Sequence, residues 1–363
     1  MFTLLEITSV LIISIIFLIS FINLISAPRL TLKQNVSMRQ ELVSILIPAR
    51  NEEKNITECI NKCLDQSYPN KEIIVLNDNS TDSTKELLQK FSNHIKIIDG
   101  AELPEGWLGK NWACHQLSLQ AKGKYFLFID ADVRLNEKAV EAAINEINLS
   151  ETGMLSVFPT QQIKSFSEWL IVPLMNWLLL GLLPLAFVYK SKHKSFVAAN
   201  GQFMLWRKDT YHSIGGHSAV KAKIVEDMEF ARLCKLSGIK IKTLLGNELV
   251  FCRMYSNLGE AMNGFSKNFF PGFKINSFQF LIFVLLISIA SVYPFFAWNN
   301  FANSSILLIE VVLSRIFMSL ISKQNILINI FLHPVQMIFV LVVGFISVYK
   351  THNKKLEWKE RKI

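Results

Sequence analysis

The chain lacks the cysteine spacing that a thiolate metal cage needs. It carries five cysteines, Cys59, Cys63, Cys114, Cys234 and Cys252. Cys59 and Cys63 fall at i, i+4 on an expected helix, but no second pair at ligand spacing completes a four-ligand site. Reduced, buried thiols are expected instead. Charge is also missing where a removable leader needs it. Met1 to Ser26 holds one charged residue, Glu6, and Leu4–Ile25 has neither a basic stretch before it nor a clear cleavage site after it. That segment reads as a retained anchor. Nor do the basic residues cluster with aromatics, as a nucleic-acid face requires. The net charge is +9, yet many of the cations flank apolar runs: Arg29, Lys33 and Arg39 after the first, and Lys350, Lys354, Lys355, Lys359, Arg361 and Lys362 after the last. This placement marks cytoplasmic membrane edges. A membrane is therefore an expected partner, and nucleic acid is not.

Hydrophobic residues make up 51% of the chain and are unevenly spread. They give a transmembrane anchor over 1–26, a catalytic-type domain over 40–275, a C-terminal membrane region over 276–350 and a basic tail over 351–363. Within the domain, short β-branched runs alternate with amphipathic windows. Strands are expected at Leu42–Ala49, Glu72–Asp78, Ile95–Asp99, Lys124–Asp130 and Met154–Phe158. Helices are expected at Glu52–Gln66, Ser80–Phe91, Asn111–Ala121, Asn136–Asn148 and Asp227–Ser237. The alternation predicts an α/β fold with a mostly parallel sheet covered on both faces, whose ligands bind beyond the carboxyl ends of the strands.

Those strand ends are rich in carboxylates. The first gives Pro48-Ala49-Arg50-Asn51-Glu52-Glu53, the second Asn77-Asp78-Asn79-Ser80-Thr81-Asp82, and the fourth Asp130-Ala131-Asp132; Glu226-Asp227 opens a later helix. Asp130 and Asp132, two residues apart, can divide their duties between a ribose hydroxyl and a hard cation. Mg2+ or Mn2+ needs few protein ligands when a diphosphate supplies the rest. Asp78 can accept hydrogen bonds from a base or ribose, whereas Ser80, Thr81 and Asp82 suit a helix cap. Glu226-Asp227 offers a general base for an acceptor hydroxyl; the bland alternative is a pair of carboxylates favoured by the helix dipole.

In this order and spacing the four motifs resemble the family 2 glycosyltransferases of GT-A fold, over about Leu42 to Phe273. The resemblance implies that Pro48, Arg50, Glu52 and Asp78 line a nucleotide pocket and that Asp130 contacts the ribose side. It likewise implies that Asp132 holds the divalent metal and that Asp227 is the base of a single in-line, inverting displacement. Gly106-Trp107-Leu108-Gly109-Lys110-Asn111-Trp112-Ala113, Ala199-Asn200-Gly201-Gln202-Phe203, Arg253-Met254-Tyr255 and Glu357-Trp358-Lys359-Glu360-Arg361 are similar to bacterial glycosyltransferases of carotenoid and hopanoid pathways. That likeness implies a nucleotide-sugar donor, UDP-glucose by expectation, an isoprenoid or related lipid acceptor, and Lys110 as a cation facing the diphosphate. Trp107 and Trp112 suit either the core or the acceptor path. The Gln-x-x-Arg-Trp signature of processive members is absent, which argues for one transfer per acceptor.

Trp169 to Tyr189 has no charge and is long enough to span a bilayer, yet it lies between Asp132 and Glu226, which have to share a site. It is expected to be an in-plane or re-entrant element kinked at Pro173, Gly181 and Pro184, with a buried helix pair as the alternative. Of the three C-terminal apolar stretches, Phe278–Trp298 and Ile326–Tyr349 are expected to cross. Ser304–Leu320 carries Glu310 and Arg315 and is expected to lie at the interface, because three crossings would send the basic tail outside. His333-Pro334 predicts a kink with a paired histidine. Since a carboxylic acid acceptor, with an ordinary pKa of about 4, is already ionised near neutral pH, the presence of Asp227 points to a hydroxyl acceptor. A polyprenyl phosphate, a ceramide-like lipid or a carotenoid carboxylate is the alternative.

Overall fold

The computed structural model describes residues 3–33, 40–297 and 301–353, backbone alone at 301–303, and the backbone of 357–358 and 361–362. Its strands are β1 Val43–Ala49, β2 Lys71–Asn77, β3 Lys96–Asp99, β4 Tyr125–Ile129, β5 Val133–Leu135, β6 Met154–Phe158, β7 Thr160–Gln161, β8 Phe203–Arg207, β9 Ile241–Leu245 and β10 Val250–Cys252. Its helices are α1 Leu4–Ser26, α2 Ile56–Leu64, α3 Thr84–Gln89, α4 Gly109–Gln120, α5 Ala139–Leu149, α6 Phe166–Trp169, α7 Val172–Leu182 and α8 Phe187–Lys190, then α9 Lys208–Ser213, α10 Gly216–Ala219, α11 Glu226–Leu236, α12 Leu258–Phe273, α13 Ser277–Val292, α14 Phe301–Ser322, α15 Ile326–Phe331 and α16 His333–His352.

Seven strands form one twisted sheet in the order β3-β2-β1-β4-β8-β6-β9. All seven residues of β1 are buried, as a central parallel strand covered on both faces requires. One apolar cluster lies on each face of the sheet. Ile45, Ile47 and Val75 face α2 and α5, while Leu46, Phe126 and Phe128 face α4 and the apolar helices. Pairing is parallel except at β8, which runs antiparallel to both β4 and β6, with Ile129 opposite Phe203 and Tyr125 opposite Arg207. This inserted strand has a consequence for function. Running backwards, it delivers its first residues to the carboxyl end of β4, where Asp130 N–H donates to Gln202 O at 3.2 Å. A second, three-stranded sheet, β5-β10-β7, flanks the same end.

The loops after β1 and β2 shorten the helices expected there. Asn51 has a left-handed φ of 50° and its side-chain oxygen accepts from Thr81 N–H at 2.9 Å, while Glu52 N–H donates to Thr84 Oγ1 at 2.8 Å. The two loops therefore bond each other, and helix begins only at Ile56 and Thr84. Ser80 does not cap α3; its hydroxyl accepts from Asn51 N–H at 3.1 Å. Asp82 takes the end of that helix instead, accepting from Thr84 N–H at 3.0 Å.

Four helical segments are long and apolar enough to cross a bilayer: Leu4–Ser26, Ser277–Phe295, Ser304–Ser322 and His333–His352. Ser304–Ser322 is thus one of them, and its two charges, the reason to place it at the interface, are turned inward. Glu310 accepts from Ser14 of α1 at 2.9 Å, and the buried Arg315 donates through Nε to His333 Nδ1 at 2.6 Å. Lys323, after α14, pairs with Glu248 of the β9–β10 turn at 3.0 Å, and Lys350, near the end of α16, donates to Asn263 of α12 at 2.7 Å. Both ends of 323–350 therefore touch the catalytic domain. Between them the chain rises to His333, whose Nε2 meets the Ser291 carbonyl at 3.2 Å, breaks at Leu332–Pro334 and returns. Trp298, Arg39 and the basic residues from Lys354 onward lie outside the described residues.

The Trp169–Tyr189 stretch breaks into α6, α7 and α8. At 11 residues α7 is about 16 Å long, too short for a hydrocarbon core of about 30 Å. Pro173 starts this helix rather than kinking it, Gly181 lies against Met318 and Ile16, and Pro184 falls in the gap before α8. The fully buried Asn23 of α1 caps the helix end, donating to Leu180 O at 2.9 Å and Leu183 O at 2.8 Å and accepting from Leu185 N–H at 2.8 Å.

Candidate active site

Four elements converge at the carboxyl edge of the sheet: the end of β4, the start of β8, and the first turns of α4 and α11. Lys110, in the first turn of α4, holds them together. Its Nζ lies 2.9 Å from Asp130 and 3.2 Å from Glu226. Burial works against this ammonium, but Asp130 and Glu226 outweigh it and keep its pKa well above the ordinary lysine value. Asn111 fixes the helix start from the other side, donating to the carbonyls of Val220, Lys221 and Lys223 at 2.9, 3.2 and 3.0 Å. The loop leading into α11 is therefore pinned to the end of α4 that bears Lys110.

Asp227, on the first turn of α11, accepts Gly201 N–H through Oδ2 at 2.9 Å and Met228 N–H through Oδ1 at 2.7 Å. Burial, then the charge of Glu226, pushes its carboxyl up to about 7. A carboxyl so poised exchanges a proton near neutral pH. Gly201 has no room for a side chain: a Cβ there would lie 3.0 Å from Glu226 Oε1 and 3.1 Å from Lys110 Nζ. The Asn200-Gly201-Gln202 turn thus brings backbone against the carboxylates.

Asp132 receives a long contact from Gln202 Nε2, at 3.2 and 3.4 Å, and a hydrogen bond from the Cys252 thiol, and the same amide lies 2.9 Å from Cys252 Sγ. Burial, then the charges of Asp130 and Glu52, raises the Asp132 carboxyl to about 7. No cluster of three or more His, Cys, Asp or Glu residues among the described residues forms a protein cage for a metal, Cys59 and Cys63 included. The donor set nonetheless suits Mg2+ or Mn2+. One half-buried carboxylate among other acids invites a dication whose remaining ligands come from phosphate and water. Asp130 is committed to Lys110, which leaves Asp132 as the better placed of the two proposed ligands.

The nucleotide-side residues form a second group. Asp78 is buried, and its carbonyl accepts from Arg50 Nη1 at 2.8 Å, as does that of Asn79 at 2.9 Å. Pro48 stands opposite Leu76 in the β1–β2 ladder, one turn before Glu52, which accepts from Asn55 at 2.9 Å. Trp107 and Trp112 are both half-buried, so neither is core. They meet edge to face at 5.0 Å, with His115 stacked on Trp112 at 5.6 Å.

Sequence reasoning gave no role to Gly201, Gln202 or Lys267. Gly201 and Gln202 lay in a motif without an evident task. Lys267 sits in an amphipathic helix, α12, where a lysine ordinarily faces solvent. Here burial, then the charge of Lys110, lowers its pKa, against the opposing charges of Glu226, Asp130 and Asp227.

A mostly parallel sheet with one antiparallel insert, a carboxylate pair after β4 and the buried Glu226 opening α11 form the framework of a GT-A-type fold. Residues 44–227 match Glycosyl transferase family 2, and the chain belongs to that family. It is 29% identical over 243 residues to the 4,4'-diaponeurosporenoate glycosyltransferase of Staphylococcus aureus (strain MRSA252), covering 66% of this chain and 64% of that protein. The counterpart from strain USA300 aligns with the same identity and coverage. The match therefore spans slightly under two thirds of those relatives. In fold the chain is similar to a mannosyltransferase of Pyrobaculum calidifontis solved with GDP-Man and Mn2+, with a TM-score of 0.53 at 12% identity, covering 99% of this chain and 100% of that one.

Proposed function

We propose that the protein transfers a hexose, glucose from UDP-glucose by expectation, to a carotenoid or related isoprenoid lipid, with inversion and once per acceptor. The observation that carries this reading is the position of Asp227. It lies half-buried beside Gly201 at the start of α11, whose Arg232 donates to the Gly272 carbonyl of α12 at 2.8 Å, and α12 packs on α13 and α16. The base therefore stands where the catalytic domain meets the apolar helices, within reach of a lipid entering from the membrane. In this reading Pro48, Arg50, Glu52 and Asp78 receive the nucleotide, Asp130 the ribose side and Asp132 the metal. The acceptor oxygen attacks the anomeric carbon and the bond from that carbon to the diphosphate breaks. The diphosphate leaves with the electron pair, and the acceptor proton passes to Asp227. A divalent ion held by Asp132 would supply charge neutralisation to the departing diphosphate. Arg29 and Lys33, next to the end of α1, and Lys350, on the domain side of α16, support a cytoplasmic site in a multi-pass membrane protein.

The acceptor group follows from the base. A hydroxyl must lose its proton, and Asp227 is poised to take it, so a carotenoid alcohol is expected to outperform the matched acid by about 10-fold or more in kcat/KM. Initial rates on the two acceptors in detergent, with UDP-glucose and Mn2+, decide this. Preference for the acid would overturn the hydroxyl assignment and favour a glycosyl ester, the reading suggested by the relative named for 4,4'-diaponeurosporenoate.

A further inference from the structure

The short helix α8 and the loop after it stand at the end of the N-terminal apolar helix. Asn23 lies in the last turn of α1, which at 23 residues is about 35 Å long and matches a hydrocarbon core of about 30 Å. Its side chain accepts Leu185 N–H at 2.8 Å, two residues before Phe187. The chain leaving α1 runs along the edge strand β9, where Leu30 N–H donates to Leu245 O at 2.9 Å. Helix α8 packs on the same strand. Residues 187–196 therefore sit at the level where Arg29 and Lys33 follow the anchor.

The surface of this segment is basic and aromatic. Between Glu168 and Asp209 the sequence has no acidic residue, and Lys190, Lys192, His193 and Lys194 are all exposed. None of these lysines forms an ion pair among the described residues. Phe187 is 41% exposed and meets Phe196 edge to face at 5.2 Å, with His193 6.3 Å from the Phe196 ring. The backbone beneath is held in place. Lys235 donates to the carbonyls of Val188 and Ser191, and the Tyr189 hydroxyl donates to Ser150 O at 3.1 Å. Lysines that only face water need no aromatic pair among them. A surface resting on lipid uses both, rings for the headgroup boundary and cations for phosphate.

We propose that residues 187–196 form a binding surface for the anionic phospholipid headgroups of the bilayer that holds α1. Phe187 and Phe196 enter the headgroup boundary, and Lys190, Lys192 and Lys194 meet phosphate. Unpaired positive charge beside the end of the anchor selects this occupant. The inference rests on the membrane reading of the apolar helices and adds a lipid class to it. Gly201, which donates to Asp227, follows Phe196 by five residues, at most about 18 Å of chain. Headgroup contact here thus limits how far the proposed base stands from the lipid surface.

The test places the full-length protein in nanodiscs of phosphatidylcholine, alone or mixed with phosphatidylglycerol. Wild type is compared with the triple variants K190Q/K192Q/K194Q and K190R/K192R/K194R, and backbone hydrogen exchange over 187–196 is the readout. Wild type is expected to exchange about 10-fold or more slowly with the anionic lipid, and the difference to shrink at high salt. The glutamine variant loses the difference and the arginine variant keeps it. Equal exchange of wild type in both lipids overturns the proposal, as does a glutamine variant that retains the full difference. An arginine variant that loses it overturns the proposal too, because charge is then not what is read. Equal slowing by inorganic phosphate in neutral nanodiscs replaces the lipid with a free-phosphate site. Wild type that stays in solution without detergent and enters no nanodisc fails at the membrane reading itself. That result differs from wild type that inserts and exchanges alike in both lipids.

Discussion

Replacing Asp227 with asparagine is expected to lower kcat on a hydroxyl acceptor by about 10^2- to 10^4-fold, the usual share of a positioned general base. Nucleotide affinity should change little. Asparagine keeps the shape and can still accept Gly201 N–H, which donates to Asp227 Oδ2 at 2.9 Å, but it cannot take a proton. The pH profile gives a second signature. Burial and Glu226 raise the carboxyl to about 7, and the base works only when ionised. Wild-type kcat/KM should therefore rise with pH through about 7 and level off above it. Because Glu226 stands beside it, this limb reports the pair rather than one residue. D227N should remove the limb. A variant that keeps near-wild-type kcat and the same pH profile would remove Asp227 from the mechanism.

The second large effect is expected at Asp132. D132A should abolish metal-stimulated transfer, with a loss of about 10^3-fold or more, the scale of several kcal/mol that Lewis-acid stabilisation supplies. Mn2+ affinity, measured by electron paramagnetic resonance with nucleotide present, should fall with it. The local geometry explains why one residue carries so much. Asp130 is tied to Lys110 at 2.9 Å, whereas Asp132 forms no ion pair among the described residues and meets the Gln202 amide at 3.2 Å or more and the Cys252 thiol. Removing Asp132 leaves no uncommitted carboxylate at the end of β4. Unchanged Mn2+ affinity in D132A would move the metal to another ligand, and wild-type activity in chelator would remove it altogether.

Much of this arrangement was legible as pattern. β6 runs from Met154 to Phe158 as read, and β1 to β4 agree within a residue at each end, because short β-branched runs bounded by polar turns have one reading. The convergence of Asp130 and Glu226 was legible because parallel strands send their carboxyl ends to one rim. β8 was not legible. Phe203–Arg207 is a five-residue apolar run that periodicity cannot separate from buried helix, and nothing local marks it as antiparallel. Its reversal is what places Gly201 and Gln202 beside the carboxylates. The inward turn of the charges on Ser304–Ser322 was not legible because charge was read without partners. Arg315 looks unfit for a membrane until His333 and the ring of Trp177, 5.5 Å away, are seen to enclose it.

The most direct test of the central claim is the anomeric configuration of the product made by wild-type protein in detergent from UDP-glucose, Mn2+ and a hydroxylated carotenoid. A single in-line displacement with Asp227 as base predicts a β-glucoside, formed once per acceptor and lost in both D132A and D227A. A product that retains the donor's configuration, or no binding of any nucleotide-sugar in the presence of metal, would contradict it.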